Sequence, residues 1–215
     1  KDQRQNFHKI ISGLSNRCFV PLTVGGWITS IDEINQFLRE GADKVAINTQ
    51  AVLNSQIIRD ASNIFGAQCI VVSIDVKKNN SGKHRVFINR GTQETVWDPV
   101  DWAKQAEQLG AGEILLTSID HEGMRNGYDL ELIKSVAENV SIPVIAFGGV
   151  GDWQHFVDGI KVGKADAVSA ANIFHYTEHS TYNAKEFMHN AGVNVRIPIF
   201  YKLPTPRRPK YDEIY

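Results

Sequence analysis

The stretch SIPVIAFGGVG, residues 141–151, enters a short apolar run through a proline and leaves it through glycines. FVPLTVGGWI, residues 19–28, repeats that pattern early in the chain. The likeness extends outward from both. Pro21 leads through Leu-Thr-Val to Gly25-Gly26, a helical stretch, Gly41-Ala42-Asp43 and the run KVAIN, ending at Asn48-Thr49. Pro143 leads through Val-Ile-Ala-Phe to Gly148-Gly149, a helical stretch, Gly163, Ala165-Asp166 and the run AVSAA, ending at Ala171-Asn172. These are two copies of one β-α-β unit, offset by a residue or two, and an internal repeat constrains the architecture before any single motif does.

Outside the repeat the same alternation continues. Strands are expected at 21–25, 44–48, 69–75, 113–120, 143–148 and 167–171, rich in Val and Ile and with little alternation, as for parallel strands buried on both faces. Between them, helices fit 31–40, 55–65, 99–109, 129–139, 152–162 and 182–191; Trp153, Phe156, Val157 and Ile160 recur at helical spacing in the fifth. A further helical pattern, Phe7, Ile10, Ile11 and Leu14, opens the chain. RVFINRGTQETVW, from Arg85, reads as a small hairpin inserted after the third strand. Six β-then-α units imply an α/β fold with a parallel sheet. No G-x-G-x-x-G follows a strand, which weighs against a dinucleotide-binding sheet. A (β/α)8 barrel needs eight strands and the first helix calls for a strand before it. The expected fold is therefore a TIM barrel of two duplicated half-barrels whose first two strands are absent from this sequence. The barrel domain is expected over 1–197, with a Pro-rich arm over 198–215.

The chain has 215 residues, 23 basic and 24 acidic, so no broad electrostatic footprint for nucleic acid or an acidic membrane is expected. No apolar run is long enough to span a bilayer. Cys18 and Cys69 lack both disulfide density and metal-ligand spacing and read as reduced core thiols of a cytoplasmic protein. No H-E-x-x-H set or G-x-S-x-G elbow is present, so neither a metal site nor a serine hydrolase is expected, and no cofactor is implied.

Glycines just past a strand let backbone N–H groups approach an anion, and the following helix N-terminus adds partial positive charge. Gly26, Gly148 and Gly149 are therefore candidates for phosphate binding, with tight turns as the alternative. Two such loops, half a turn of a barrel apart, suit the two ends of a bisphosphate. Asp75 falls at the C-terminal end of its strand, where a carboxylate acts as general acid or base or else caps the next loop. Lys77 and Lys78 follow and suit an anionic substrate. Ser118 and Gly123 suit phosphate or hydroxyl groups, Asp120 suits a loop-orienting role, and His121 reads as a solvated loop residue. Lys44 and Glu113 enter at the opposite strand ends, as a structural ion pair or as a polar plug that opens.

PLTVGG, GADKVAINT, VVSIDVKK, GAGEILLTSID, GYDLELI, PVIAFGGVG and GVNVR, in that order over about residues 19–196, resemble the cyclase subunit of imidazole glycerol phosphate synthase. The resemblance implies a lyase. It uses ammonia from a glutaminase partner, with which it forms a heterodimer, to convert a ribulosyl aminoimidazole carboxamide nucleotide carrying two phosphates. The products are imidazole glycerol phosphate and aminoimidazole carboxamide ribotide. The partner docks on the N-terminal face and ammonia crosses the barrel core. By the resemblance Asp75 is one of two catalytic aspartates, the other lying on the absent first strand. Ser118, Gly123, Gly149, Ala171 and Asn172 match phosphate positions of one half, Asn48 and Thr49 those of the other. Lys44 and Glu113 match the ammonia entrance, and Asp43 an interface residue.

The match is not complete. Trp27 stands where the family has a third glycine, Glu122 replaces an aspartate, Asn172 a serine, and Phe147 a small residue. These departures keep two other readings open: a cyclase-like paralogue that delivers ammonia to a sugar amidotransferase in surface-polysaccharide synthesis, and a non-catalytic scaffold for a glutaminase.

Overall fold

A computed structural model describes residues 2–175 and 180–199 of the chain. Helix α1 (Asp2–Ser15) leads into β1 (Thr23–Gly25), α2 (Ile31–Arg39) and β2 (Lys44–Ile47). Two short helices, α3 (Thr49–Leu53) and α4 (Gln56–Phe65), precede β3 (Ile70–Lys78) and the hairpin strands β4 (His84–Ile88) and β5 (Gln93–Glu94). Then come α5 (Pro99–Gln108), β6 (Glu113–Ser118), α6 (Leu130–Ala137), β7 (Val144–Phe147), α7 (Trp153–Lys161), β8 (Ala167–Val168) and α8 (Ser180–Asn190). Four of the helices begin where local chemistry supplies a side-chain cap. Ser30, Asp98, Asp129 and Asp152 each accept a first-turn amide of α2, α5, α6 and α7, and Pro99 occupies a position needing no donor.

The six main strands form one curled parallel sheet in the order β1-β2-β3-β6-β7-β8, each strand beside its neighbour in the β/α series. The result is an α/β, TIM-barrel-like half-barrel lacking some strands: among the described residues β1 pairs only with β2, and β8 only with β7. The expected hairpin is present, but it grows from the sheet itself. β4 pairs antiparallel with the far end of β3, from Asp75↔Phe87 to Lys78↔His84, so β3 runs three residues beyond its expected end.

One expectation is overturned. The strands are not buried on both faces; burial alternates along them, as in the buried and half-buried positions of β6. Val45, Ile47, Ile70, Val72, Ile74, Ile114, Leu116, Val144 and Ala146 face the helices and are almost fully excluded from water. In register on the other, concave face stand Lys44, Ala46, Ser73, Asp75, Glu113, Thr117 and Phe147, all half-buried. A closed barrel buries this second face in its own interior, and an open sheet leaves it accessible. Cys18 and Cys69 are free but half-buried, outside the core proper. From residue 200 onward the expected C-terminal arm lies outside the described residues. Among the described residues no helix is long and apolar enough to cross a membrane.

Candidate functional site

Parallel pairing sets Asp75 opposite Thr117 of β6, and Asn48 leaves the end of β2 on the other side of β3. Burial raises the Asp75 carboxyl above its ordinary range, while hydrogen bonds from Thr117, Asn48 and Ser73 pull weakly the other way. Asn48 also donates its amide to the Ser73 carbonyl at 3.1 Å, which fixes its orientation. Asp75 is thus a held, partly desolvated acid on the concave face rather than a loop cap. Because β3 continues to Lys78, it lies within the strand rather than at its end.

Asp75 lines a cavity of about 730 Å³ together with Gly26, Trp27, Asn48, Thr49 and Arg90, among others. The Thr49 hydroxyl accepts the Asn89 amide at 3.0 Å, tying the end of β2 to the hairpin turn. Trp27 is 59% exposed, and the Arg90 guanidinium lies 6.0 Å from its ring centroid. A second, much smaller crevice of about 10 Å³ is lined by Glu122, Gly123, Arg125, Gly148, Gly149, Ala171 and Asn172 among others. The predicted phosphate residues of each half therefore gather at separate loop clusters, on either side of Asp75 in the sheet order.

Five predicted residues sit elsewhere. Ser118 is buried beneath the second crevice, its carbonyl accepting the His121 and Glu122 amides. Lys77 is exposed beyond the parallel sheet, opposite Arg85 of β4. Asp43 accepts the Leu22 amide at 2.7 Å, as Asp166 accepts the Val144 amide at 2.9 Å in the other copy. At the N-terminal strand ends Lys44 and Glu113 form an ion pair, each about one-quarter exposed. Asp120 does orient its loop, accepting the Lys78 amide at 2.8 Å. His121, expected to be solvated, is half-buried and bonded to the Gly127 carbonyl at 2.7 Å, because the loop folds back over it.

The paired aspartate clasps also correct the alignment of the copies. Leu22 corresponds to Val144, which sets Gly26 against Gly148 and Trp27 against Gly149. The backbone agrees: φ is +112° and +105° at the first pair, +54° and +101° at the second. Ser30 and Asp152, the two N-caps, fall into step with nearly the same dihedrals. The two glycine pairs match in letters but are shifted by one residue in space. Trp27 occupies a left-handed position held by glycine in the other copy, and an aromatic side chain there is uncommon.

Arg90 and Arg125 do not stand out in the sequence, yet among the described residues each is the cation lining its cluster. Both have left-handed backbones, at φ +61° and +57°. The sequence signal is weak: Arg90 directly precedes a glycine in the hairpin turn, and Arg125 stands two residues from a glycine on either side in the loop after β6. Among the described residues no group of three or more His, Cys, Asp and Glu is placed to hold a metal ion.

These features, a parallel β/α sheet with a repeated half and glycine loops flanking a strand-borne aspartate, agree with the comparison to known families. Residues 1–180 match the family described as Histidine biosynthesis protein, so this chain belongs to that family.

Proposed function

We propose that the protein is the cyclase subunit of an imidazole glycerol phosphate synthase, a carbon–nitrogen lyase fed with ammonia by a glutaminase subunit. The observation that carries this reading is the position of Asp75. It is a desolvated carboxylate on the concave face, with one glycine-loop cluster reached through β2 and the other through β6 and β7. A substrate with a phosphate at each end would span those clusters and lay its middle across Asp75. The carboxyl's raised pKa favours its protonated form, which suits it to donate a proton to a leaving oxygen or nitrogen and recover it later. Thr117, Asn48 and Ser73 hold its orientation. Ammonia would enter past Lys44 and Glu113 on the same face, and the glutaminase would cover the N-terminal strand ends, where Asp43 lies. The ring-closing chemistry needs no cofactor in this reading.

A second reading is favoured by Trp27. An indole in place of the third glycine reshapes the first cluster, and Glu122 and Asn172 alter the second. Both changes fit a paralogue that passes ammonia to a sugar amidotransferase. The full-length chain, assayed with the ribulosyl nucleotide and an ammonium salt, separates the two. Ammonia-dependent loss of the nucleotide supports the cyclase. No turnover, with a sugar amidotransferase recovered beside the glutaminase, supports the paralogue. Glutaminase binding with neither activity leaves a scaffold.

A further inference from the structure

We infer that Arg90 binds the phosphate of a sugar-phosphate ligand at the first loop cluster, and that Trp27 is the positioning residue that holds it over the cavity. The proposal rests on the reading that the ligand is phosphorylated, and it deepens that reading by assigning the group that meets one phosphate.

Four observations converge. Among the described residues lining the 730 Å³ cavity the charged ones are Asp75 and Arg90, so among them Arg90 is the one that supplies positive charge. Its guanidinium lies 6.0 Å from the Trp27 ring centroid, within the range of a cation–π contact, and that contact joins the loop after β1 to the hairpin turn across the cavity. Asn89, Arg90 and Gly91 have consecutive left-handed backbones, at φ +52°, +61° and +73°. The middle position is one where glycine or asparagine is unstrained, and an arginine kept there at a cost in backbone energy points to a use for its side chain. Finally, a Cβ on Gly26 would meet nothing within 4 Å, so the floor beside Trp27 is open to a ligand, whereas a Cβ on Gly149 would meet the Gly127 carbonyl at 2.2 Å. The first cluster has room that the second lacks.

The chemistry follows from the donor set. A planar guanidinium presents two parallel N–H groups to a phosphate, and the indole face keeps its plane from turning away. Asn48, Thr49 and Asn89 place amide and hydroxyl groups on the same cavity, suited to the hydroxyls of a sugar, and Asp75 lines it as well. The backbone amides of the loop add donors to the anion, as in other glycine turns before a helix.

The test is calorimetric titration of the full-length chain with inorganic phosphate and with ribose 5-phosphate, comparing wild type with Arg90→Gly, Arg90→Lys and Trp27→Gly. Arg90→Gly removes the charge while suiting the left-handed backbone, so it is expected to fold with an unchanged or higher Tm. Its affinity for ribose 5-phosphate should fall roughly tenfold to a hundredfold, the loss of a charge-assisted contact. Arg90→Lys should recover part of that loss, and Trp27→Gly should weaken binding less than Arg90→Gly does. Unchanged affinity in Arg90→Gly overturns the proposal, as does a wild type that binds neither probe. Loss of binding together with a fall in Tm reduces the pair to a structural clip between loops and also overturns it. Ammonia-dependent turnover is measured separately. A chain that lacks it but binds ribose 5-phosphate through Arg90 refutes the cyclase and leaves the phosphate contact standing.

Discussion

Lys44 of β2 and Glu113 of β6 form an ion pair across the strand that separates them, bridging β3 at its N-terminal end. Glu113 is in register with Val71, and Val71 with Ala46, so the lysine reaches over β3 from two residues earlier on β2. With each side chain about one-quarter exposed, the pair is partly desolvated. Glu113→Gln leaves Lys44 facing the concave side without its counter-charge and should cost about 1–2 kcal/mol, while Lys44→Met with Glu113→Met should cost less than either single change. Urea unfolding of wild type, Lys44→Met, Glu113→Met and the double variant as a double-mutant cycle, with Glu113→Gln alongside, measures this. If the proposed function holds, Lys44→Met should also change glutamine-dependent turnover more than turnover with ammonium salt.

Asp75→Asn makes opposite predictions for activity and stability. On the proposed function, replacing the proton donor should lower ammonia-dependent turnover by at least about a hundredfold, with glutaminase binding intact. Turnover close to wild type would remove Asp75 from the role. Stability should move the other way. Burial raises the folded carboxyl above its ordinary 3.8, so between 3.8 and the raised value the folded state binds more protons than the unfolded one. Wild-type stability therefore falls as pH rises through that window. The asparagine variant lacks this loss. Its Tm should exceed that of wild type at neutral pH, and the gain should shrink as pH falls towards 3.8.

Gly26 and Gly149 lie in the two copies of the repeat, and their alanine variants should separate conformation from packing. Both have φ above +100°, a strained value for any L-residue. At Gly26 an added Cβ meets nothing within 4 Å, so backbone strain alone should cost roughly 1–2 kcal/mol. At Gly149 the same atom would lie 2.2 Å from the Gly127 carbonyl, which itself belongs to a loop bonded to Gly149. That backbone has nowhere to yield cheaply, and the cost should be about 3 kcal/mol or more. Equal losses on thermal unfolding would contradict the packing difference.

Trp27 offers a cleaner backbone test. At φ +54° glycine is unstrained and alanine is not, so Trp27→Gly should be more stable than Trp27→Ala by roughly 1 kcal/mol, although glycine is usually the less stable choice. Parallel thermal melts decide it. The reverse order would mean that the loop relaxes out of the left-handed region once the indole is gone.

The sequence by itself determined the order of strands and helices, the repeat and the parallel sheet, because each is written in local signals. Period-3.6 apolar spacing, caps such as Ser30 and Asp152, and glycine punctuation act over a few residues and survive without knowledge of the fold. The gathering of Asn48 and Thr49 at one cluster, and of Gly148, Gly149, Ala171 and Asn172 at another, was also legible, since a β/α series brings all its strand ends to one face.

The rest depended on contacts between segments far apart in sequence. Burial on one face of the sheet or both is set by closure, and Lys44, Ser73 and Glu113 read the same in either case. The displacement of the glycine pairs by one residue shows only in space, in the clasps of Asp43 on Leu22 and Asp166 on Val144 and in the backbone dihedrals beside them. Arg90 carries only a weak signal in a polar hairpin turn, a basic residue before a glycine. It acquires a role because antiparallel pairing on β3 folds that turn back over the cavity, beside an indole whose backbone position belongs to glycine in the other copy. Local propensity is a property of neighbours along the chain, whereas a binding site is a property of neighbours in space, and in this protein the two coincide only at the strand ends.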